Sequence, residues 1–205
     1  MRGRGRGYRQ LMSSRVPLDA LFAGYLHDLA SLAELARDEH AEGLRGARAL
    51  VGKLALEAVR VSVYERHFLL PVVQESLSDG ADRARAEAAA LDGLEERVLG
   101  LEGLEPGSEA ATAALAALHE TAVTLAQDQR TGVLPALAEA LDDRALIDLA
   151  ERVSPSQMAG ATHSHPSLPQ QYDLAQWPTR GLTRAAREAL TREARIREED
   201  FSSSS

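Results

Sequence analysis

Two polar side chains stand where the spacing calls for apolar ones. Glu65 follows Leu54, Ala58 and Val61 on one helical stripe, and Gln129 follows Leu118, Ala122 and Leu125 on another. Turned inward together, such a pair has two possible uses. The amide can donate a hydrogen bond to the carboxylate, giving a mutually satisfied polar pair. Alternatively the pair lines a small ligand pocket with Tyr64 beside it, and Glu65 serves as acid or base. A carboxyl group withdrawn from water holds its proton to higher pH, which suits proton transfer. The sequence leaves both uses open.

His27 and His67 are the imidazoles closest to these positions. With Glu65, and Asp128 as a further carboxylate, they could ligate one metal ion. However, Glu65 and His67 are two apart, and residues two apart on a helix do not share a face. Both histidines are therefore expected at the surface or boundary, as candidate ligand contacts rather than metal ligands. His40, His119, His163 and His165 have no partner in the pattern. No metal and no other cofactor is expected. The chain has no cysteine, which excludes disulfides, thiolate metal sites and cysteine nucleophiles, and fits a reducing cytoplasm. It contains neither a nucleophile elbow nor a Gly-rich phosphate loop. Trp177, within Gln176-Trp177-Pro178, is expected to anchor a wrapping tail.

The elements that must position these residues are helices. Of 205 residues 44% are hydrophobic but only 4% aromatic, and Ala and Leu dominate, a composition that favours an all-α fold. Apolar spacing of three and four predicts a first helix from Pro17 to Asp38 and a second from Gly43 to Leu77. A third covers Ala81 to Leu101. Ser108 offers an N-cap to a fourth, which carries Leu115, Leu118, Ala122, Leu125, Gln129, Val133 and Leu137. A short fifth helix spans Asp142 to Arg152. Such short connections favour antiparallel neighbours, so an up-down antiparallel four-helix bundle is expected over residues 16–153. Residues 154–180 form a polar, Pro-rich linker, and residues 181–205 an exposed C-terminal helix with a frayed end from Ser202. Residues 1–15 hold five arginines and no acid and are expected as a basic disordered leader. The net charge of -8 leaves an acidic body that would repel a polyanion, which argues against nucleic acid. No apolar run reaches the length of a membrane span.

An internal repeat ties the helices together. Val61–Leu77 (VSVYERHFLLPVVQESL) aligns at a constant offset with Leu125–Leu141 (LAQDQRTGVLPALAEAL). The alignment places Glu65 on Gln129, Arg66 on Arg130, Pro71 on Pro135 and Glu75 on Glu139. A proline inside a helix is costly, and its recurrence at one place in both halves points to inherited geometry. A helical pair that appears twice and ends in a Leu-Pro step resembles the hemerythrin-like, or HHE cation-binding, family. The resemblance spans roughly residues 16–153 and extends into the tail at His163-Ser-His165-Pro166 and Gly181–Ala185, as in bacterial members.

The resemblance implies a four-helix bundle with a di-iron centre held by a His-x-x-x-Glu motif in helices two and four and single histidines from helices one and three. Those positions fall here on Val61 and Glu65, Leu125 and Gln129, Leu26 and Leu91. Two iron ions need about ten donors, and one carboxylate cannot supply them. The expected function is that of a bundle without its di-iron site, a metal-free binding, sensory or scaffold protein in the cytoplasm with a small-molecule or protein partner. Its oligomeric state is open. One alternative is an enzyme on small molecules that reuses the former metal cavity, with Glu65 as acid or base. Another is a di-iron protein handling dioxygen or nitric oxide.

Overall fold

A computed structural model describes residues 18–42, 47–153, 178 and 180–204. The leader, most of the linker, His163, His165 and Trp177 lie outside them. Among the described residues every regular element is helical. In chain order these are α1 (Leu18–Leu21), α2 (Ala23–Ala41), α3 (Ala47–Tyr64), α4 (Leu70–Ser76), α5 (Gly80–Leu99), α6 (Glu109–Asp128), α7 (Leu134–Ala140), α8 (Asp143–Arg152) and α9 (Leu182–Ser204).

Each helix buries the face that its spacing dictates. α2 turns Leu26, Leu29, Ala30, Ala33 and Ala36 inward. On α6 the buried stripe is Ala111, Leu115, Leu118, Ala122 and Leu125. Almost every residue of α3 from Leu54 to Tyr64 is buried, because this helix is covered by α2, α5 and α9 together. α2 also packs on α6, and α5 on α6, so α2, α3, α5 and α6 enclose one continuous apolar core. Ser108 caps α6 as its residue type suggests, its side chain accepting from the Ala111 N–H at 3.1 Å. Asp142 does the same for α8, accepting from Ala145 at 2.8 Å.

The repeated prolines have a common structural consequence. A proline has no N–H to give, and its ring crowds the carbonyl one turn earlier. In both copies the chain answers with a π-helical turn, Glu65–Leu69 before α4 and Gln129–Val133 before α7. The Leu70 N–H reaches back to the Glu65 carbonyl and the Leu134 N–H to the Gln129 carbonyl, five residues in each case instead of four. The extra residue in the turn opens the backbone just ahead of each proline. The second and fourth predicted helices are thus each one α-helix, one π turn and a second α-helix.

The tail differs from its expectation. α9 is docked rather than exposed, covering α3 and touching α5 and α8. Its inner stripe is Thr183, Ala186, Ala189, Leu190, Glu193 and Ala194. Alanines here serve as contact residues, because their small side chains let α9 lie close to α3. The rest of the seat is polar. Glu102 receives the Gly181 N–H at 2.8 Å and both the N–H and the hydroxyl of Thr183, at 2.7 and 2.5 Å, and so caps the start of α9. Glu95 on α5 is only 2% exposed; Ser62 of α3 donates to it, and Arg187 of α9 supplies its cation.

A buried carboxylate that loses its cation keeps the desolvation cost. Arg187→Ala is therefore expected to lower the unfolding free energy by about 1–3 kcal/mol, measured by denaturant titration. An unchanged midpoint would show that Ser62 alone suffices to hold Glu95.

A buried carboxylate–amide–carboxylate cluster

The first residues of the two π turns are Glu65 and Gln129, and the fold brings them together. Gln129 Nε2 donates to Glu65 Oε2 at 2.7 Å. The same nitrogen donates to Oε1 of Glu87, on α5, at 2.6 Å. All three side chains are withdrawn from water, with exposures of 2% for Glu65, 0% for Gln129 and 6% for Glu87. The π turns and α5 thus place one amide between two acids. A primary amide carries two protons on its nitrogen, and here each goes to a different carboxylate.

Burial pushes the Glu65 carboxyl well above the usual carboxylate range, and the neighbouring Glu87 raises it further. The hydrogen bond from Gln129 and the charge of Arg66 act the other way and do not offset this. Glu87 is raised as well, by burial first and then by Asp128, against the hydrogen bond from Gln129. Two atoms complete the picture. Glu65 Oε1 and Gln129 Oε1 are buried, and neither has a hydrogen-bond partner among the described residues. Both are acceptors while Glu65 is ionised. A proton on Glu65 Oε1 would turn that atom from an acceptor into a donor. Burial thus favours the protonated form of Glu65, the chemistry of a shielded acid.

The other candidate residues lie apart from this pair. Tyr64 is buried, but its hydroxyl donates to Glu193 of α9 at 3.2 Å, so it fastens the tail. His27 is exposed on α2. His67 is half-buried with its ring beside Phe68, the centroids 6.4 Å apart, and burial lowers its pKa. Asp128 is exposed at the end of α6 and reaches the cluster only through its field on Glu87. His40, which the sequence left without a partner, is buried, and its Nε2 accepts the Gly107 N–H at 3.0 Å. Gly107 has φ +89°, a conformation that suits glycine, where the chain turns between α5 and α6. Among the described residues no group of three or more His, Cys, Asp or Glu side chains is placed to hold a metal ion.

Glu87 and Glu95 are the residues that sequence reasoning missed. The signal for Glu87 was present, because it lies three residues after Ala84 and four before Leu91, inside the buried stripe of α5.

The raised carboxyls fix the sign of the pH dependence. A folded pKa above the unfolded one means that the folded chain binds more protons, so stability falls as pH rises from the unfolded carboxyl value towards the folded one. Unfolding free energy is expected to decline from about pH 4.5 upward, and Glu65→Gln should flatten that decline. The introduced amide keeps the size of the side chain and removes a buried charge, so at neutral pH the variant should be as stable as the parent or more so. A destabilised variant with an unchanged pH profile would show that the carboxylate charge is itself held by the fold.

No protein-family model, no curated protein and no solved structure matches this chain.

Proposed function

We propose that the chain is a divergent hemerythrin-like protein, an up-down antiparallel four-helix bundle without a di-iron site, acting as a metal-free binding, sensory or scaffold protein. The observation that carries this reading is the packing at four positions where the resemblance calls for histidine. Leu26 and Leu91 are 0% exposed, Leu125 3% and Val61 4%, all within the apolar core. The mutual packing of α2, α3, α5 and α6 and the twin π turns ahead of Pro71 and Pro135 also support it. A di-iron centre does not fit the residues present. Glu65 and Glu87 are two carboxylates already bridged by an amide, the positions around them are aliphatic, and two iron ions need about ten donors. The absence of cysteine is in keeping with a cytoplasmic location. No helix among the described residues is long and apolar enough to cross a membrane.

One observation favours a second reading. Glu65 Oε1 and Gln129 Oε1 are buried without partners, and a small ligand able to donate to both would satisfy them. In that reading Glu65, with its proton held to high pH, is the acid or base of an enzyme on small molecules.

Two measurements test the first reading. Protein purified from iron-supplemented cells is expected to be colourless, with iron well below one per chain. About two irons per chain with near-ultraviolet oxo-bridge bands would overturn it. Leu125→Ala is expected to cost about 2–5 kcal/mol, as for other large-to-small core changes. A loss near zero would mean that Leu125 lines an open cavity, and would favour the enzyme.

A further inference from the structure

The seat of α9 relies on polar contacts where the bundle relies on leucine. α2 and α6 bury five leucines between them, Leu26, Leu29, Leu115, Leu118 and Leu125. Among the described side chains of α9, Leu190 is the one large apolar group that is buried. The rest of its buried apolar stripe is Ala186, Ala189 and Ala194, and Ile196 is left 53% exposed. Alanine removes little apolar surface from water, and apolar stabilisation scales with that surface. The hold on the tail therefore falls largely to three polar attachments: Glu102 to Gly181 and Thr183, Glu95 to Arg187, and Tyr64 to Glu193.

These attachments can be exchanged for water. Beneath the tail lie Ser62, Tyr64 and Glu95, which are 0%, 1% and 2% exposed with α9 in place. Two hydroxyls and a carboxylate are well hydrated once uncovered, so each hydrogen bond across the seat adds only modest net stability. The start of α9 points the same way. The Gly181 carbonyl takes the first helical bond, from the Ala185 N–H at 3.1 Å, but glycine has no side chain with which to cap the turn. The cap is borrowed from Glu102, in the connection that follows α5 and 81 residues before Thr183. Lifting α9 removes that cap, so its first turn loses order as it leaves. The Glu65, Gln129 and Glu87 hydrogen bonds join α5 and the two π turns, and α9 supplies none of them.

Small apolar contact, hydratable partners and a borrowed cap describe a closure rather than a core element. We propose that α9 is a strap that opens as one unit while the bundle stays folded, and so controls access to Ser62, Tyr64 and Glu95. Tyr64 immediately precedes Glu65, the first residue of its π turn, so the strap covers the stretch of α3 that leads into the buried acids. The proposal rests on the seat of the tail alone and stands whatever the bundle binds.

The test is amide hydrogen exchange of the full chain under native conditions, which separates opening of one unit from unfolding of the whole. Amides from Glu188 to Ala194 are expected to exchange together, at least about tenfold faster than the slowest amides of α2 and α6. Glu102→Ala should speed exchange in α9 by about tenfold or more and leave α2 and α6 unchanged. Thr183→Val removes one of the three bonds to Glu102 and should speed α9 by less. A second measurement uses the absence of cysteine, which gives Ala194→Cys and Ala122→Cys one thiol each. Both alanines are 0% exposed, and the thiol on α9 should react with a thiol reagent at least about tenfold faster. Four results would each overturn the proposal: protection of α9 equal to that of the bundle; exchange that fades inward from Ser204 and leaves Glu188 as protected as α2, which is a frayed end; equal reactivity of the two thiols; or a Glu102→Ala effect that is absent from α9 or shared by all the helices.

Discussion

Gln129 has two amide protons, and the fold directs both to acids that water cannot reach. Much else in the molecule follows from how that amide is held. It can bridge Glu65 and Glu87 only if the ends of two helices and the face of a third converge at one depth, which the paired π turns and α5 arrange. Two buried carboxylates sharing one neutral donor cannot both stay ionised cheaply. Burial therefore raises both carboxyls, within a core that is otherwise mainly apolar. Leu26, Val61, Leu91 and Leu125 are buried in that same core, so the polar site is small and enclosed on the apolar side.

The same economy of charge governs the tail. Glu95 is as deeply buried as Glu65, yet it is treated differently. It receives a hydroxyl from Ser62 and a guanidinium from Arg187, whereas Glu65 receives an amide alone. One acid is paired with a cation from the tail, and the other has its carboxyl raised by burial. Tyr64 and Glu65 are adjacent in sequence but serve these two systems separately, Tyr64 fastening α9 through Glu193 and Glu65 facing Gln129. α3 therefore links them, although no hydrogen bond joins the two clusters directly among the described residues.

Most of the helices were legible in the sequence, because their apolar stripes repeat at three and four and their starts carry Ser108 and Asp142. The pairing of Glu65 with Gln129 was legible too, since the Leu-Pro repeat puts them at equivalent positions. The π turns were not, because a hydrogen bond displaced by one residue leaves no trace in the period; the prolines were the only hint. Glu87 was obscured by its neighbour. Ala88 lies close to the same stripe and is the apolar choice, yet the acid is the more buried of the two and Ala88 is half-exposed. The docking of α9 was hidden because alanine reads as a helix former rather than as a contact. The two partners of Glu95 lie on two other helices, α3 and α9, and no local pattern could have joined them.

The seat of α9 has a consequence for the order in which the chain acquires its structure. The helices that build the core, α2 on α6 included, are all complete in the chain before the tail is made. Arg187, by contrast, is 92 residues from the acid that it neutralises. At about 5–20 residues per second of synthesis, some 5–20 seconds separate the two residues on the ribosome. During that interval Glu95 has no cation from the tail, and the groove of α3 remains uncovered. The nascent helices thus pass through a state with an open polar groove, and the tail helix closes it last.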